Sequence, residues 1–272
     1  MALNPTLQAT PTMALSNTVL ITGASSGIGA TYAQRFAQRR HDLVLVARDA
    51  ARLQALADTL RTAHGVKVDV LQADLTRPAD IARVEARLRD DASTSTLINN
   101  AGMAQTGGFA AQTADAIDRL ITLNTSTPTR LAAAIAPRLA AAGTGAIVNI
   151  GSVVGMAPEF GMSVYGATKA FVLFLSQGLA LELGPKGVYV QAVLPATTRT
   201  EIWERAGMDL SAMPEVMEVG ELVDAALAGF DRREAVTIPP LHDDAHWSAL
   251  DGARQALLGG LRQAHAAPRY QR

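Results

Sequence analysis

The chain has 272 residues, 49% apolar types and 18% charged, enough to bury one substantial core as a single large α/β domain. Its 24 basic and 25 acidic residues leave a formal net charge of −1 with no long basic run, which points away from nucleic acid or an anionic membrane as partner. It has no cysteine, so disulfides, thiolate metal sites and a cysteine nucleophile are excluded.

Residues 1–17 are polar, carry two prolines and show no periodicity, so they read as a flexible extension ahead of one domain over 18–272. The first basic residue is Arg35, so no charged stretch precedes the apolar run Val19–Ile21 in the manner of a secretory signal, and a cytoplasmic protein is expected. Strand-like runs then follow in order: "TVLIT", "DLVLVA", "VKVDVLQ", "TLINN", "GAIVNI", "VYVQAVLP" and "AVTIP". Between them lie helical patterns such as "DAARLQALADTLRTAH", in which Leu53, Leu56 and Leu60 keep a helical period. Such alternation predicts a doubly wound parallel sheet of about seven strands with helices on both faces. The Ala-rich segment from Ala111 to Ala142 also reads as helical, and within it "RLAAAIAPRLAAAGTG" is expected to form a packed helix kinked or ended near Pro137. The run "AFVLFLSQGLALEL" is interrupted by Ser176, Gln177 and Glu182, too soon for a membrane span. The last part, about 240–272, reads as a helical C-terminal extension with a polar end.

The first strand runs directly into "TGASSGIGA". Gly23, Gly27 and Gly29 stand where a strand turns into a helix, and such a turn lets Ser25, Ser26 and Ile28 bring backbone N–H groups to a pyrophosphate. The glycine spacing differs from G-x-G-x-x-G, but its strand–turn–helix context favours a nucleotide over an ordinary tight turn. The second strand ends at Ala47 and Arg48, where an NAD site usually has an acidic residue for the ribose. A guanidinium suits a 2′-phosphate, so NADP leads over NAD, with Asp49 taking the ribose as the alternative.

Further on, "SVYGATKAF" sets Tyr165 and Lys169 four residues apart on one helical face. With four tyrosines and three lysines, chance alone gives such a pair roughly 4% of the time. The pattern becomes specific in company: "TGASSGIG", "ADL" at Ala73–Leu75, "NNAG" at Asn99–Gly102, "LNTS" around Asn124, "NIGS" ending at Ser152, "YGATK" and "PATTRT" at Pro195–Thr200. In that order and spacing they resemble the short-chain dehydrogenase/reductase family, from about Thr18 to Thr200.

The resemblance implies a Rossmann-type fold, a nicotinamide cofactor and a catalytic set of Asn124, Ser152, Tyr165 and Lys169. Tyr165 exchanges a proton with the carbonyl or alcohol oxygen, and Ser152 hydrogen-bonds that oxygen, so these two are also the substrate contacts. Lys169 is expected to hold the nicotinamide ribose and to favour the phenolate of Tyr165, whose unperturbed pKa lies near ~10. Asn124 is expected to hold a water linking Lys169 to solvent. Asp74 and Leu75 resemble the adenine contacts, and Asn100, Ala101 and Gly102 let backbone approach the cofactor. Pro195, Thr198 and Thr200 resemble the residues beside the carboxamide and phosphates. Ala196 stands where the family usually has glycine, which bears on the backbone after Pro195.

The "HDDAH" motif, with His242 and His246, mimics a zinc helix, but Asp replaces Glu, prolines lie upstream and no third ligand is evident, so no metal is assigned. Substrate contacts are expected from Val153–Val164 and from a lid at about 200–220 holding Ile202, Trp203, Met208, Leu210, Met213 and Met217. The function expected is an NADP-dependent hydride transfer with a small carbonyl or alcohol compound. Reduction of a 3-oxoacyl group on a carrier protein is an alternative, with Arg130, Arg199 and Arg205 as weak candidates for the acidic partner. A non-catalytic NADP-sensing protein is another. A homodimer or homotetramer follows from the resemblance.

Overall fold

A computed structural model of the chain describes residues 17–207, 209–210 and 215–271. The expected extension therefore lies outside the described residues except for Asn17, as do Met208 and Met213 of the expected lid. Asn17 is tied down at the amino-terminal end of the first strand, its Oδ1 accepting from Ser95 Oγ at 3.1 Å.

The strands are β1 (Thr18–Thr22), β2 (Asp42–Ala47), β3 (Val68–Gln72), β4 (Thr94–Asn99), β5 (Ala146–Ile150), β6 (Tyr189–Val193) and β7 (Val236–Thr237). All pair in parallel, in the order β3-β2-β1-β4-β5-β6-β7. The helices are α1 (Gly27–Gln38), α2 (Ala50–His64), α3 (Pro78–Asp90), α4 (Ala114–Ile121), α5 (Thr127–Ala142), α6 (Ser163–Leu183), α7 (Glu201–Arg205), α8 (Val219–Asp231) and α9 (Ala245–Gly260).

The strands are apolar almost throughout because both faces are covered. Successive residues of β1 divide between two cores: Val19 and Ile21 pack with Tyr32, Phe36, Leu53 and Val223, while Leu20 packs with Ile81, Val84, Leu131 and Ile135. The edge strand β3 is the exception, with Asp69 and Gln72 exposed. Between β4, β5 and α6 runs a buried polar chain in which Asn99 Nδ2 donates to Asn149 Oδ1 (2.9 Å) and Asn149 Nδ2 to Ser176 Oγ (2.9 Å). With every link paired, it fixes how α6 lies against the strand ends.

Two expectations change. The segment from Ala111 to Ala142 is not one helix but α4 and α5 joined by a π-helical turn, Thr122–Ser126. Nor does α5 stop at Pro137: it runs through to Ala142 and ends where Gly143 takes a left-handed φ of 67°. Packing of Leu131, Ile135 and Leu139 against the core outweighs the missing proline N–H.

The segment Ser163–Lys186 is long and apolar enough to cross a membrane, with hydropathy 1.3, despite the interruptions at Ser176, Gln177 and Glu182. In this fold its inner face, Tyr165, Lys169, Val172 and Ser176, is buried, while Phe174 and Leu181 remain 78% and 80% exposed. The C-terminal extension forms α9, none of whose residues is buried. It borders a second cavity of about 830 Å³ with α6, α8 and β7, away from the carboxyl ends of the central strands.

Candidate active site

The loops leaving the carboxyl ends of β1 to β6 border one cleft of about 880 Å³, at the point where the chain order reverses between β1 and β4. Of the residues expected to bind cofactor, the cleft is lined by Gly23, Ser25, Ser26, Ile28, Arg48, Asp74, Leu75, Asn100, Ala101, Gly102, Pro195, Thr198 and Thr200. Ser152, Tyr165 and Lys169 line it too.

The glycine turn has two layers. Gly23 has a φ of 67°, and a Cβ there would lie 2.8 Å from Asn100 Nδ2, so glycine keeps the loop thin at the cleft floor. Gly29 does not line the cleft: its place is behind the turn, where a Cβ would stand 2.3 Å from Gly23 O. Gly27 likewise packs against Thr200 and not on the cleft. Both shape the turn, on which the helix sits directly. Ser26 precedes α1 without a side-chain cap, which leaves the helix's first N–H groups for an anion.

At the end of β2, Arg48 makes no side-chain hydrogen bond or ion pair among the described residues. Asp49 is committed elsewhere, capping α2 by accepting from Arg52 N at 3.0 Å. The basic residue, not the acid, is thus the group free for the ribose end. Burial works against the charge of Asp74, but the Thr76 side chain and backbone bonds, with Arg48 and Arg77 nearby, hold its carboxyl below the usual range. It remains an acceptor on the cleft wall. The uncapped turn, thin glycine floor and free guanidinium fit an NADP-type dinucleotide.

At the other end, α6 delivers Tyr165 and Lys169 and β5 delivers Ser152, all buried. Burial pushes the Tyr165 phenol up to about 12, which the neighbouring Ser152 hydroxyl partly offsets, while Ser152 Oγ itself donates to Pro195 O at 3.3 Å. Lys169 Nζ donates to Ile150 O at 2.9 Å and lies 5.6 Å from the Tyr165 ring centre. Burial lowers its ammonium to about 8. The expected pull of Lys169 toward a phenolate is therefore outweighed: desolvation of the hydroxyl dominates, and Tyr165 is a phenol at neutral pH.

Asn124 sits in the π turn, closed by the Thr127 N–H bonding Thr122 O. It lies outside the cleft lining. Its Nδ2 donates to Met103 O (2.9 Å) and Thr168 Oγ1 (3.1 Å), while its Oδ1 accepts from Met103 N (3.0 Å). The amide is thereby spent on holding the β4–α4 loop against α6. Gly102 allows this contact: a Cβ there would stand 3.3 Å from Asn124 Oδ1 and 3.7 Å from Lys169 Nζ.

Ala196 raises no strain, since the only non-glycine residues with positive φ among those described are Arg40, Met162 and Arg233. Met162, at φ 56°, directly precedes α6. His242 and His246 belong to no metal-holding group among the described residues. Met103, Ala104, Leu123 and Arg52 also line the cleft and were not anticipated. Only Arg52 had a visible signal, a second arginine one helical turn beyond Arg48.

Residues 17–210 match the family model described as short chain dehydrogenase. A short-chain dehydrogenase from Sphingobium yanoikuyae, solved in complex with NADPH, is 74% identical, with a TM-score of 0.93 over 94% of this chain and 100% of that one. The bulky-bulky ketone specific alcohol dehydrogenase from Comamonas testosteroni is 64% identical, with a TM-score of 0.89 over 94% of this chain and 99% of that one. A 2,5-dichloro-2,5-cyclohexadiene-1,4-diol dehydrogenase from Sphingobium indicum is 31% identical over 84% of this chain and 95% of the relative.

Proposed function

The chain belongs to the short-chain dehydrogenases and is an NADP(H)-dependent oxidoreductase of carbonyl and alcohol groups, and from that premise we propose that its substrate is a ketone with a large apolar group on each side of the carbonyl. The observation that carries this reading is the cleft wall. Beside Tyr165 and Ser152, the 880 Å³ cleft is lined by Met103, Ala104, Ile202 and Trp203, and the one lid cation there, Arg205, pairs with Glu201. The likeness to the Comamonas enzyme named for bulky-bulky ketones supports the same class.

Bound in the cleft, the nicotinamide supplies the hydride for the carbonyl carbon or accepts it from the alcohol. Tyr165 gives its phenolic proton to the carbonyl oxygen, which Ser152 steadies from the other side. Lys169, a buried ammonium on the Ile150 carbonyl, holds the proton that restores the phenol. Asn124, through its side-chain bonds to Met103 and Thr168, positions the β4–α4 loop against α6. The carrier-protein alternative loses its basic patch: Arg130 pairs with Glu85 and Arg199 with Glu218.

The exposed stripe of Ala167, Phe171, Phe174 and Leu181 along α6 supports a dimer or tetramer. Oxidation of NADPH, with NADH in parallel, is followed across methyl ketones, diaryl and dialkyl ketones and 3-oxoacyl thioesters. Higher kcat/KM for ketones bulky on both sides, abolished by Tyr165→Phe, is the expected result. Preference for methyl ketones or thioesters overturns the substrate class.

A further inference from the structure

The rim of the cleft carries an ion pair that neither the hydride chemistry nor the ketone pocket uses. Arg52, in the first turn of α2, lines the cleft, and its Nη1 donates to both carboxylate oxygens of Glu201 at 2.9 Å. Glu201 is 149 residues further along the chain and opens α7. Its neighbours Thr200 and Ile202 both line the cleft. Arg205, one turn along α7, bonds the same carboxylate and holds it in place. On the other side Arg52 Nε lies 3.5 Å from Asp49 Oδ2, and that carboxylate caps α2. A continuous chain of charges, Asp49–Arg52–Glu201–Arg205, thus links the α2 wall to the α7 wall.

The division of labour between the two arginines decides what the link does. Arg48 makes no side-chain hydrogen bond or ion pair among the described residues, so its guanidinium is available for a 2′-phosphate. Arg52 is spent on a residue of the opposite wall. Close to the link, Gly27 of the glycine turn packs against Thr200, so the pair fastens α7 where the two walls already touch. A carboxylate there repels a bound phosphate, so its place at this rim is explained by the cation it holds.

We propose that Arg52 and Glu201 form a strap across the cofactor's path, which keeps the dinucleotide in place and ties lid position to cofactor residence. The strap must open each time cofactor exchanges, and it acts on the shared dinucleotide rather than on the 2′-phosphate. Both are positioning residues, touching neither the ketone nor the transferred hydride. The inference rests on the NADP reading of the cleft, and fluorescence titration of the wild-type protein with NADPH tests that reading separately.

The test is stopped-flow release. Protein loaded with NADPH, and separately with NADH, is mixed with excess NADP⁺, and the fluorescence of the departing cofactor is followed for the wild type, Arg52→Gln, Glu201→Gln and the double variant. Unchanged melting temperatures establish that each variant folds. The strap requires Glu201→Gln and Arg52→Gln each to speed release of both cofactors, by about threefold for a half-exposed pair. It also requires the double variant to be no faster than either single one, since both changes cut the same link. If Arg52→Gln speeds only NADPH release, or Glu201→Gln slows it, Arg52 is a second phosphate ligand that Glu201 competes for, and the strap is wrong. Unchanged or additive rates overturn it equally.

Discussion

The two ends of the cleft are built on opposite electrostatic principles. At the Tyr165 end the functional groups are buried, few, and held by hydrogen bonds: Lys169 to Ile150 O, Ser152 to Pro195 O, Asn124 to Met103. Desolvation sets their proton affinities there. At the arginine end the groups are exposed and paired by charge, with Arg52 and Glu201 keeping 50% and 38% of their side-chain surface. Proton transfer needs fixed geometry and tuned affinity, while a cofactor that enters and leaves needs contacts that break cheaply. The difference teaches that burial marks where chemistry occurs, and exposed charge marks where exchange occurs.

The comparison predicts a ranking. Tyr165→Phe removes the hydroxyl that gives its proton to the carbonyl oxygen, and reduction falls by roughly 10²–10⁴-fold while NADPH affinity, read by fluorescence titration, stays nearly level. Loss of NADPH binding alongside activity in that variant breaks the separation of the two ends. Arg48→Ser removes a charge-assisted contact, so NADPH affinity drops on the order of tenfold with NADH affinity unmoved. An equal loss for both cofactors breaks the assignment of Arg48.

Lys169→Met sharpens the buried end through stability. The folded-state affinity of Lys169 is lowered from 10.5 to about 8, so between these values the unfolded chain binds the extra proton and stability rises with pH. Below about 8 the wild type keeps a buried ammonium at a cost of about 3 kcal/mol relative to the neutral amine, a cost the variant does not carry. The variant's stability relative to the wild type is therefore most favourable below about pH 8. That advantage shrinks across pH 8 to 10.5, as denaturant titrations at several pH values read out. A constant difference contradicts the burial account. In the same window the rate of reduction declines above about pH 8 as Lys169 loses its proton. Smallest is Asp224→Asn, which breaks the surface pair with Arg35: stability changes by under about 1 kcal/mol and activity not at all.

Much of this was legible because it is local. Strands buried on both faces read as apolar runs, and β1, β2, β5 and β6 fell where expected to within a residue or two. The glycine turn, Arg48 and the four-residue step from Tyr165 to Lys169 are sequence-near patterns. Other features were not readable. Pro137 argued for a helix end, and only the core contacts of Leu131, Ile135 and Leu139 explain why α5 continues. That the π turn aims the Asn124 side chain at Met103 was likewise not readable. Nor could the sequence show that Gly29 packs on Gly23 O and Gly27 on Thr200.

The sequence by itself determined the layered architecture, the reaction chemistry and the nucleotide preference, because each depends on residue type and on neighbours within a turn or strand. The tertiary structure decided what depends on segments far apart in the chain: which glycines face the cleft, how far burial moves Tyr165 and Lys169, and that Arg52 meets a carboxylate 149 residues away. Periodicity carries local geometry, whereas proton affinity and ion pairing depend on surroundings that exist only once the chain has closed on itself.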